Sequence, residues 1–303
     1  MPPKPLIAQK YIDPLTDFGF KRLFGSEPNK DLLIDLLNSV FNGRKYIIDL
    51  EYNKHEHTAD IKDEGSAIFD LTRTGKDGEH FIIEMQRGRQ ANFKKRAIYY
   101  TSLLAAGHAP KGKRSAWAYE LPEIFFIGLL EDFSVETTND GSYVRDICLM
   151  NRNTGKVLYD GLGYIFLELV NFVKTEDELE GNLDKWLYVL KNISRTEKMP
   201  LFIRKTIFEK VFSIAEYSNM TKEEKNMYNA ALKRKWNNEN VLDYAVKTAI
   251  KEERAKAEAE KQKIIAEAIA EKRKVVTELK KLGMSSKDIA RIVGMSQEEV
   301  EEI

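Results

Sequence analysis

The chain has 303 residues, of which 43% are hydrophobic and 32% are charged. A chain of this composition can bury a full core, which excludes the disordered and collagen-like classes, and its apolar runs fall short of the ~20 residues of a membrane helix. The 48 basic and 48 acidic residues cancel, which excludes bulk attraction to nucleic acid but not a local basic patch. Because Cys148 is the single cysteine and the N-terminus has no hydrophobic signal region, we expect a cytoplasmic protein in a reducing compartment.

The first 133 residues carry alternating helix and strand patterns. Apolar residues at spacings of three and four predict a helix that begins at Asn29 and ends at Asn42-Gly43. β-Branched and aromatic runs predict strands over residues 46–52, 67–72 and 80–86, then a helix over 93–105 and a buried strand over 124–130. The predicted order is therefore helix, three strands, helix, strand.

The rest of the chain is predicted to be helical. From about residue 156 to 246, apolar spacings such as Leu167-Val170-Phe172 favour helices. Residues 247–282 are rich in Lys, Glu and Ala, with opposite charges three or four residues apart, which is typical of a long exposed helix. We predict three regions, namely a core over residues 1–135, a mainly helical extension over 136–246, and a long charged helix with a short helical tail over 247–303 as a candidate dimerisation arm.

The last 21 residues contain a short repeat. Gly283-Met284-Ser285 and Gly294-Met295-Ser296 each combine a glycine helix stop with a serine that begins a capping box. The spacing resembles part of a helix-turn-helix, but acidic rather than basic residues follow Gly294. We therefore favour a packing or self-association element over one that reads the major groove.

Two carboxylates interrupt apolar strands. Asp70 follows Ile68-Phe69, and Glu84 stands in Ile82-Ile83-Glu84-Met85-Gln86. A buried carboxylate is costly unless its charge is compensated, and a divalent cation is an economical way to compensate it. Because side chains alternate along a strand, Glu84 and Gln86 share one face.

The turn between the two strands decides whether Asp70 lies on that face as well. A three-residue loop, Lys76-Asp77-Gly78, with glycine in the left-handed conformation pairs residue 70 with residue 84 and places the carboxylates side by side. A two-residue Asp77-Gly78 turn pairs residue 70 with residue 85 and sends Asp70 to the opposite face. We prefer the first turn because it gives both acids a common partner, and the alternative is two unrelated acids.

A basic run follows the second carboxylate. Residues 85–119 include eight basic residues and no acidic one. A merely solvated face would intersperse acids, whereas a basic helix and loop beside a candidate metal site suit a phosphate backbone. The residues predicted to contact DNA are Arg87, Arg89, Lys94, Lys95, Lys113 and Arg114.

Several motifs, in this order, carry a family resemblance. They are Asp17-x-x-Phe20-Lys21-x-x-Phe24-Gly25, Ile68-Phe69-Asp70, Ile83-Glu84-Met85-Gln86, Phe93-x-x-Arg96-x-x-Tyr99-Tyr100 and Leu121-Pro122. Together they resemble the Rpn family of recombination-promoting nucleases, also called PD-(D/E)XK nuclease family transposases, over about residues 11–133. The resemblance implies an α+β fold with a PD-(D/E)XK restriction-endonuclease-like core, to which the periodicity adds an all-helical C-terminal region.

The resemblance also implies Mg²⁺-dependent endonucleolytic cleavage of DNA, with Mn²⁺ as an alternative ion. Asp70, Glu84 and the backbone carbonyl of Met85 would hold the metal.

Gln86 stands where the fold usually has a lysine. An amide can orient water but carries no charge, so the cation would come from Arg96 or Lys94, with Lys21 behind them. The accessory candidates are Asp17, Lys21, Glu51 and Tyr99.

These patterns predict a DNA endonuclease of low sequence specificity that promotes recombination or mobile-element transfer. We expect a homodimer formed through the C-terminal helices. The alternative is a catalytically weak DNA-binding or assembly protein that retains the nuclease fold, which Gln86 and the acidic tail suggest.

Overall fold

The computed structural model of the chain describes residues 9–52, 71–108, 120–136, 140–203 and 206–303. It divides into two compact units, one that ends at Lys233 and one that comprises Arg234–Ile303. Among the helices of these described ranges, none combines the length and the apolar character that crossing a bilayer requires.

Eight α-helices and six strands are present in the described residues. The helices are α1 (Asp17–Phe24), α2 (Lys30–Phe41), α3 (Phe93–Gly107), α4 (Asn182–Asn192), α5 (Thr206–Ala215), α6 (Lys222–Lys281), α7 (Ser286–Val293) and α8 (Gln297–Glu301). The strands are β1 (Leu50–Glu51), β2 (Leu71–Gly75), β3 (His80–Gln86), β4 (Ile124–Leu130), β5 (Val144–Met150) and β6 (Val157–Glu168). From α2 to β4 the elements follow the predicted order of helix, three strands, helix and strand.

The strands form one mixed sheet. Their order is β1-β2-β3-β4-β6-β5. β1, β2 and β3 are antiparallel neighbours, whereas β3, β4 and β6 run parallel to one another. Parallel neighbours need a crossover connection, and α3 lies in the connection from β3 to β4. The carboxyl ends of β3, β4 and β6 therefore lie along the same edge of the sheet.

The strands β5 and β6 correct the prediction of an all-helical region after the core. β6 lies inside the sheet, between β4 and the edge strand β5. Its residues Ile165, Phe166 and Leu167 are all buried. A strand buried on both faces has a continuous apolar run, and periodicity alone cannot distinguish such a run from a buried helix. The sheet thus continues beyond residue 135.

Helices cover both faces of the sheet. On one face, Phe41 of α2 packs edge-on against Phe81 of β3 and Phe125 of β4, with ring centroids 5.9 and 4.9 Å apart. On the other face, Phe93 of α3 packs against Phe126 of β4 at 6.1 Å, in the same buried cluster as Ile82 of β3. Because successive strand residues point to opposite faces, Ile82, Glu84 and Gln86 face α3.

The α2 face carries a second layer of helix packing. Trp186 of α4 is fully buried, with its ring centroid 5.8 Å from that of Phe24 in α1 and 5.0 Å from that of Phe208 in α5. Its indole nitrogen donates to the Asp35 carboxylate in α2 at 2.6 Å. Helices α1, α2, α4 and α5 therefore form one layer on the side of the sheet opposite α3.

The first strand is shorter than predicted. It comprises only Leu50–Glu51, and Tyr46 and Ile48 are exposed. The Asn38 side chain bonds both backbone groups of Ile47, accepting from its N–H at 2.7 Å and donating to its carbonyl at 2.9 Å. Because a side chain satisfies these groups, they need no strand partner.

The hairpin between β2 and β3 has the predicted three-residue loop. Leu71 pairs with Ile83 and Thr74 with His80, and the Gly75 N–H donates to the Glu79 carbonyl at 2.7 Å. Gly78 has a φ of +84°, the left-handed conformation expected for this loop. The preferred register is confirmed as far as Leu71, while Asp70 and the rest of the predicted strand over 67–70 lie outside the described residues.

The second unit has a small core of its own. Val276 of α6, Ile289 of α7 and Val300 of α8 are fully buried against one another. The two copies of the repeat provide the caps, because Ser285 and Ser296 each accept a backbone N–H three residues ahead. Gly283 and Gly294 have positive φ at the preceding helix ends. The predicted glycine stop and serine cap are confirmed in both copies, and the full capping box is present in the second, where Glu299 accepts from the Ser296 N–H at 2.8 Å. The tail packs back on the end of α6.

Candidate active site at the carboxyl end of strand β3

Glu84 is a buried carboxylate near the end of a central strand. The whole Glu84 residue is 6% exposed, and its paired residue in β4 is Gly128. A Cβ at Gly128 would approach a ring carbon of Phe166 to 2.9 Å, so the aromatic ring packs over the glycine. Glu84 therefore lies in a largely apolar setting, where its charge needs compensation.

Arg96 of α3 provides that compensation in this structure. Its Nη2 makes an ion pair with Glu84 Oε1 and also donates to Gln86 Oε1 at 2.8 Å. The guanidinium carbon lies 5.5 and 5.9 Å from the ring centroids of Phe93 and Tyr100. The sequence predicted these three polar residues as catalytic, and the structure brings them together.

Both ends of the Gln86 amide are engaged. Its oxygen accepts from Arg96, and its nitrogen donates to the Gly88 carbonyl at 3.0 Å. These contacts fix the side chain at the exit of β3. The positive charge of Arg96 therefore lies beside the position at which the fold usually has a lysine.

Gln90 is a site neighbour that sequence reasoning did not identify. Its side-chain oxygen accepts from Arg96 Nη1, the opposite side of the guanidinium from Glu84. Gln90 lies in the exposed segment between β3 and α3. Its position six residues before Arg96 gave no periodic signal, because it lies outside any helix or strand.

Two further acids lie at the same edge of the sheet. Glu131 and Asp132 follow β4, and their N–H groups donate to the carbonyls of Gln86 at 3.0 Å and Arg87 at 3.1 Å. Arg87 Nε is 3.4 Å from the Glu131 carboxylate and 3.5 Å from that of Asp132. Arg87, predicted to bind DNA, thus pairs with acids. Their place directly after a buried strand was the signal that could have identified them.

The other predicted DNA-binding residues divide into two groups. Arg89, Lys94 and Lys95 are exposed on the segment before α3 and on its first turn, and Tyr99 one turn later is 52% exposed. Lys113 and Arg114 lie outside the described residues. Within the described part of the patch, an exposed basic surface therefore adjoins Glu84.

The accessory candidates other than Tyr99 lie elsewhere. Asp17 and Lys21 pair with each other at 2.7 Å on α1, on the opposite side of the sheet from α3. Glu51 pairs with Thr74, whose partner in β3 is His80. His80 lies four positions before Glu84, about 13 Å along a strand. The structure does not bring these three residues to Glu84.

The donor set around Glu84 is compatible with a hard divalent cation. The carboxylate of Glu84 and the amide oxygen of Gln86 are oxygen ligands of the type that Mg²⁺ uses, and backbone carbonyls are too. In the described ranges, no three His, Cys, Asp or Glu side chains cluster closely enough to hold a metal. Asp70, which lies outside the described residues, is the second carboxylate that the sequence predicts for a metal site.

One of the comparisons with known proteins found a match. A family model described as PD-(D/E)XK nuclease family transposase matches residues 14–245. Searches of curated proteins and of solved structures returned no match. Nucleases of the matched family usually use divalent metal ions. Because the match extends over well more than half of the chain, this protein belongs to the PD-(D/E)XK nuclease family transposases.

Proposed function

We propose that this protein is a Mg²⁺-dependent DNA endonuclease of low sequence specificity that promotes recombination or mobile-element transfer. The observation that carries the proposal is the convergence of Glu84, Gln86 and Arg96 at the carboxyl end of β3, in a chain of a nuclease family. Mn²⁺ is the expected alternative ion.

The proposed metal ligands are Asp70, Glu84 and the Met85 carbonyl. The hairpin register supports this pair of acids: Leu71 pairs with Ile83, and Asp70 and Glu84 are the next residues in the two directions along the chain. When bound, the ion would supply Lewis-acid activation of water and offset charge on the scissile phosphate.

Gln86 and Arg96 together would replace the single lysine of the usual pattern. Gln86 can accept and donate hydrogen bonds, so it would orient the attacking water. Arg96 carries the charge that an amide lacks, and its guanidinium already reaches the Gln86 oxygen. A guanidinium also matches a phosphate in geometry, so Arg96 would contact the scissile phosphodiester.

The basic surface beside this site supports DNA as the substrate. Arg89, Lys94 and Lys95 are exposed around the start of α3, which has no acidic residue in its first turn. A helix N-terminus also favours phosphate through its free N–H groups. Such backbone contacts bind DNA without reading its sequence, which agrees with low specificity.

We further propose a cytoplasmic homodimer, associated through α6 and the helices that follow it. Several large apolar side chains of α6 are exposed, including Ile264, Ile265 and Ile269. A solvated helix would not normally expose neighbouring isoleucines, whereas a helix that packs against a second copy would.

The alternative is a catalytically weak DNA-binding or assembly protein. It is favoured by the combination of Gln86 in the lysine position and a guanidinium already bound to Glu84. This alternative predicts DNA binding with a steep salt dependence and no cleavage with any divalent ion.

Cleavage of supercoiled plasmid tests the proposal. The purified wild-type protein should convert the plasmid to nicked and linear forms in Mg²⁺ and not in chelator. The Asp70→Ala variant should form neither product in Mg²⁺. The Asp17→Asn variant is the matched control, because this acid pairs with Lys21 on the far side of the sheet. Equal nicking by wild type and Asp70→Ala would contradict the site, and DNA retardation without cleavage by wild type would favour the alternative.

A further inference from the structure

Arg96 makes contacts that differ between the two sides of its guanidinium. On the inner side, Nη2 is bonded to the Glu84 carboxylate and the Gln86 amide. On the outer side, Nη1 is bonded to Gln90, a residue of the exposed segment before α3. The Arg96 side chain is 22% exposed and that of Glu84 is 8% exposed. The guanidinium therefore stands between the buried carboxylate and solvent.

The same carboxylate oxygen cannot serve Arg96 and a metal ion equally well. A cation bound to Glu84 Oε1 would lie within a few ångströms of the guanidinium, and two positive charges at that distance repel strongly in a partly buried site. A metal therefore binds Glu84 at full strength only after the guanidinium has moved.

We infer that Arg96 competes with the divalent cation for Glu84, and that a substrate phosphodiester provides the alternative partner which draws the guanidinium away. The inference rests on the proposed function, because it takes Glu84 as the metal ligand. It adds an order to binding: the site has a low affinity for metal until DNA is present.

The surroundings of Arg96 provide an outward path. Gln90 already accepts from the outer side of the guanidinium, and Lys94 and Lys95 expose their charges on the same helical turn. A phosphate attracted by these lysines would meet the outer edge of Arg96, and a guanidinium binds phosphate through two parallel hydrogen bonds. Movement toward the phosphate would release Glu84 without leaving Arg96 uncompensated.

The consequence is a thermodynamic coupling between DNA and metal. A ligand that removes Arg96 from Glu84 raises the affinity for metal, and metal must raise the affinity for DNA by the same factor. Couplings of this kind are typically about 5- to 150-fold.

Mn²⁺ titration of the full chain, followed by the electron paramagnetic resonance signal of unbound Mn²⁺, tests the inference. Without DNA, Arg96→Met should bind Mn²⁺ at least about fivefold more tightly than wild type. The matched control is Lys95→Met, which removes an exposed charge from the same helical turn and should bind as wild type does. Arg96→Lys, which retains a charge but loses the two-sided contact, should fall between them, and circular dichroism confirms that each variant is folded.

The outcomes separate the inference from the proposed function. If Arg96→Met binds Mn²⁺ no more tightly than wild type while Glu84→Gln loses binding, Arg96 does not compete with the metal, although Glu84 is a metal ligand. If Glu84→Gln binds as wild type does, the proposed metal site is wrong.

A second titration tests the role of the phosphate. A duplex with phosphorothioate linkages, which slow cleavage, should raise the Mn²⁺ affinity of wild type by a larger factor than that of Arg96→Met. Equal factors in the two proteins would contradict the role given to the phosphodiester.

Discussion

Two buried glutamates on strands of the same sheet have very different surroundings. Glu168, at the end of β6, is fully buried; it accepts from the Val135 N–H at 2.8 Å and from the Asn171 amide at 2.7 Å, and lies 3.5 Å from Arg145. Glu84 pairs with Arg96, whose other contacts include an exposed loop glutamine. The first carboxylate is enclosed by backbone and side-chain donors, whereas the second faces a partner at the protein surface.

The partner of Glu168 is itself fixed. Both terminal nitrogens of Arg145 donate to the Asp140 carboxylate, at 2.6 and 2.8 Å. This pairing raises the pKa of Arg145 and lowers the pKa of Asp140 well below its usual range. Arg145 thus pairs with two carboxylates at once, those of Asp140 and Glu168. Burial of a carboxylate therefore does not by itself indicate a reactive site. A reactive carboxylate also needs a partner that a ligand can replace.

The largest expected effect concerns the stability of the Glu168 cluster. Glu168→Ala should lower the free energy of unfolding by about 3–5 kcal/mol, because it removes one of the two carboxylates that pair with the buried Arg145 and leaves the Val135 N–H without its acceptor. Glu84→Gln should cost only about 1 kcal/mol, because the amide oxygen still accepts from a partly exposed Arg96. Urea unfolding of both variants measures the difference. Equal losses of unfolding free energy would show that the two carboxylates contribute equally to stability.

His80, at the start of β3, is a third buried titratable group, and it makes the stability of the folded chain depend on pH. Burial lowers the pKa of His80 to about 4, and repulsion from His108 adds to the shift. The unfolded chain binds this proton near pH 6.5, so stability is present above pH 6.5 and is lost as pH falls toward 4. His80→Phe should reduce the slope of the unfolding free energy against pH in this range by up to about 1.4 kcal/mol per pH unit.

Urea unfolding at pH 6.5, 5.5 and 4.5 measures the effect of His80. His108→Phe is the control, because it replaces the neighbouring imidazole, 4.1 Å away between ring centroids, by a ring that cannot be protonated, and it keeps His80. Its pH profile should retain most of the wild-type slope. Identical profiles for wild type and His80→Phe would show that the imidazole titrates normally.

The smallest expected effect concerns the exposed lysines beside Glu84. Lys94→Ala and Lys95→Ala should each reduce the slope of log affinity for DNA against log salt by about 1, uniformly across sequences. Lys21→Ala, on the opposite side of the sheet, should leave the slope unchanged. Gel retardation over a range of salt concentrations measures the slopes. A reduced slope for Lys21→Ala alone would show that DNA binds on the α1 side of the sheet.

Elements with strong local patterns were predictable from the sequence. The strands β3 and β4 and the helix α3 agree with prediction to within two residues, because their apolar runs are bounded by clear turn signals. The hairpin loop was predictable because only glycine adopts the left-handed conformation readily at Gly78. The interior strand β6 was not, because a run buried on both faces has no alternation to distinguish it from a helix.

The candidate site was predictable where it depends on local geometry. Alternation along β3 placed Glu84 beside Gln86, and the basic helix supplied Arg96. Glu131 and Asp132 were missed because their position depends on the parallel pairing of β3 with β4, which brings distant segments together. Glu168 was not identified as a buried acid of the sheet, because the apolar run before it was predicted to be helical.

Plasmid nicking by Glu84→Gln and Glu168→Gln, assayed side by side in Mg²⁺ below their unfolding midpoints, tests whether Glu84 and not Glu168 belongs to the active site. We expect Glu84→Gln to remain folded but not to nick, and Glu168→Gln to be less stable yet to nick at a rate near that of wild type. Nicking by Glu84→Gln at the wild-type rate would contradict the assignment of Glu84 to the active site.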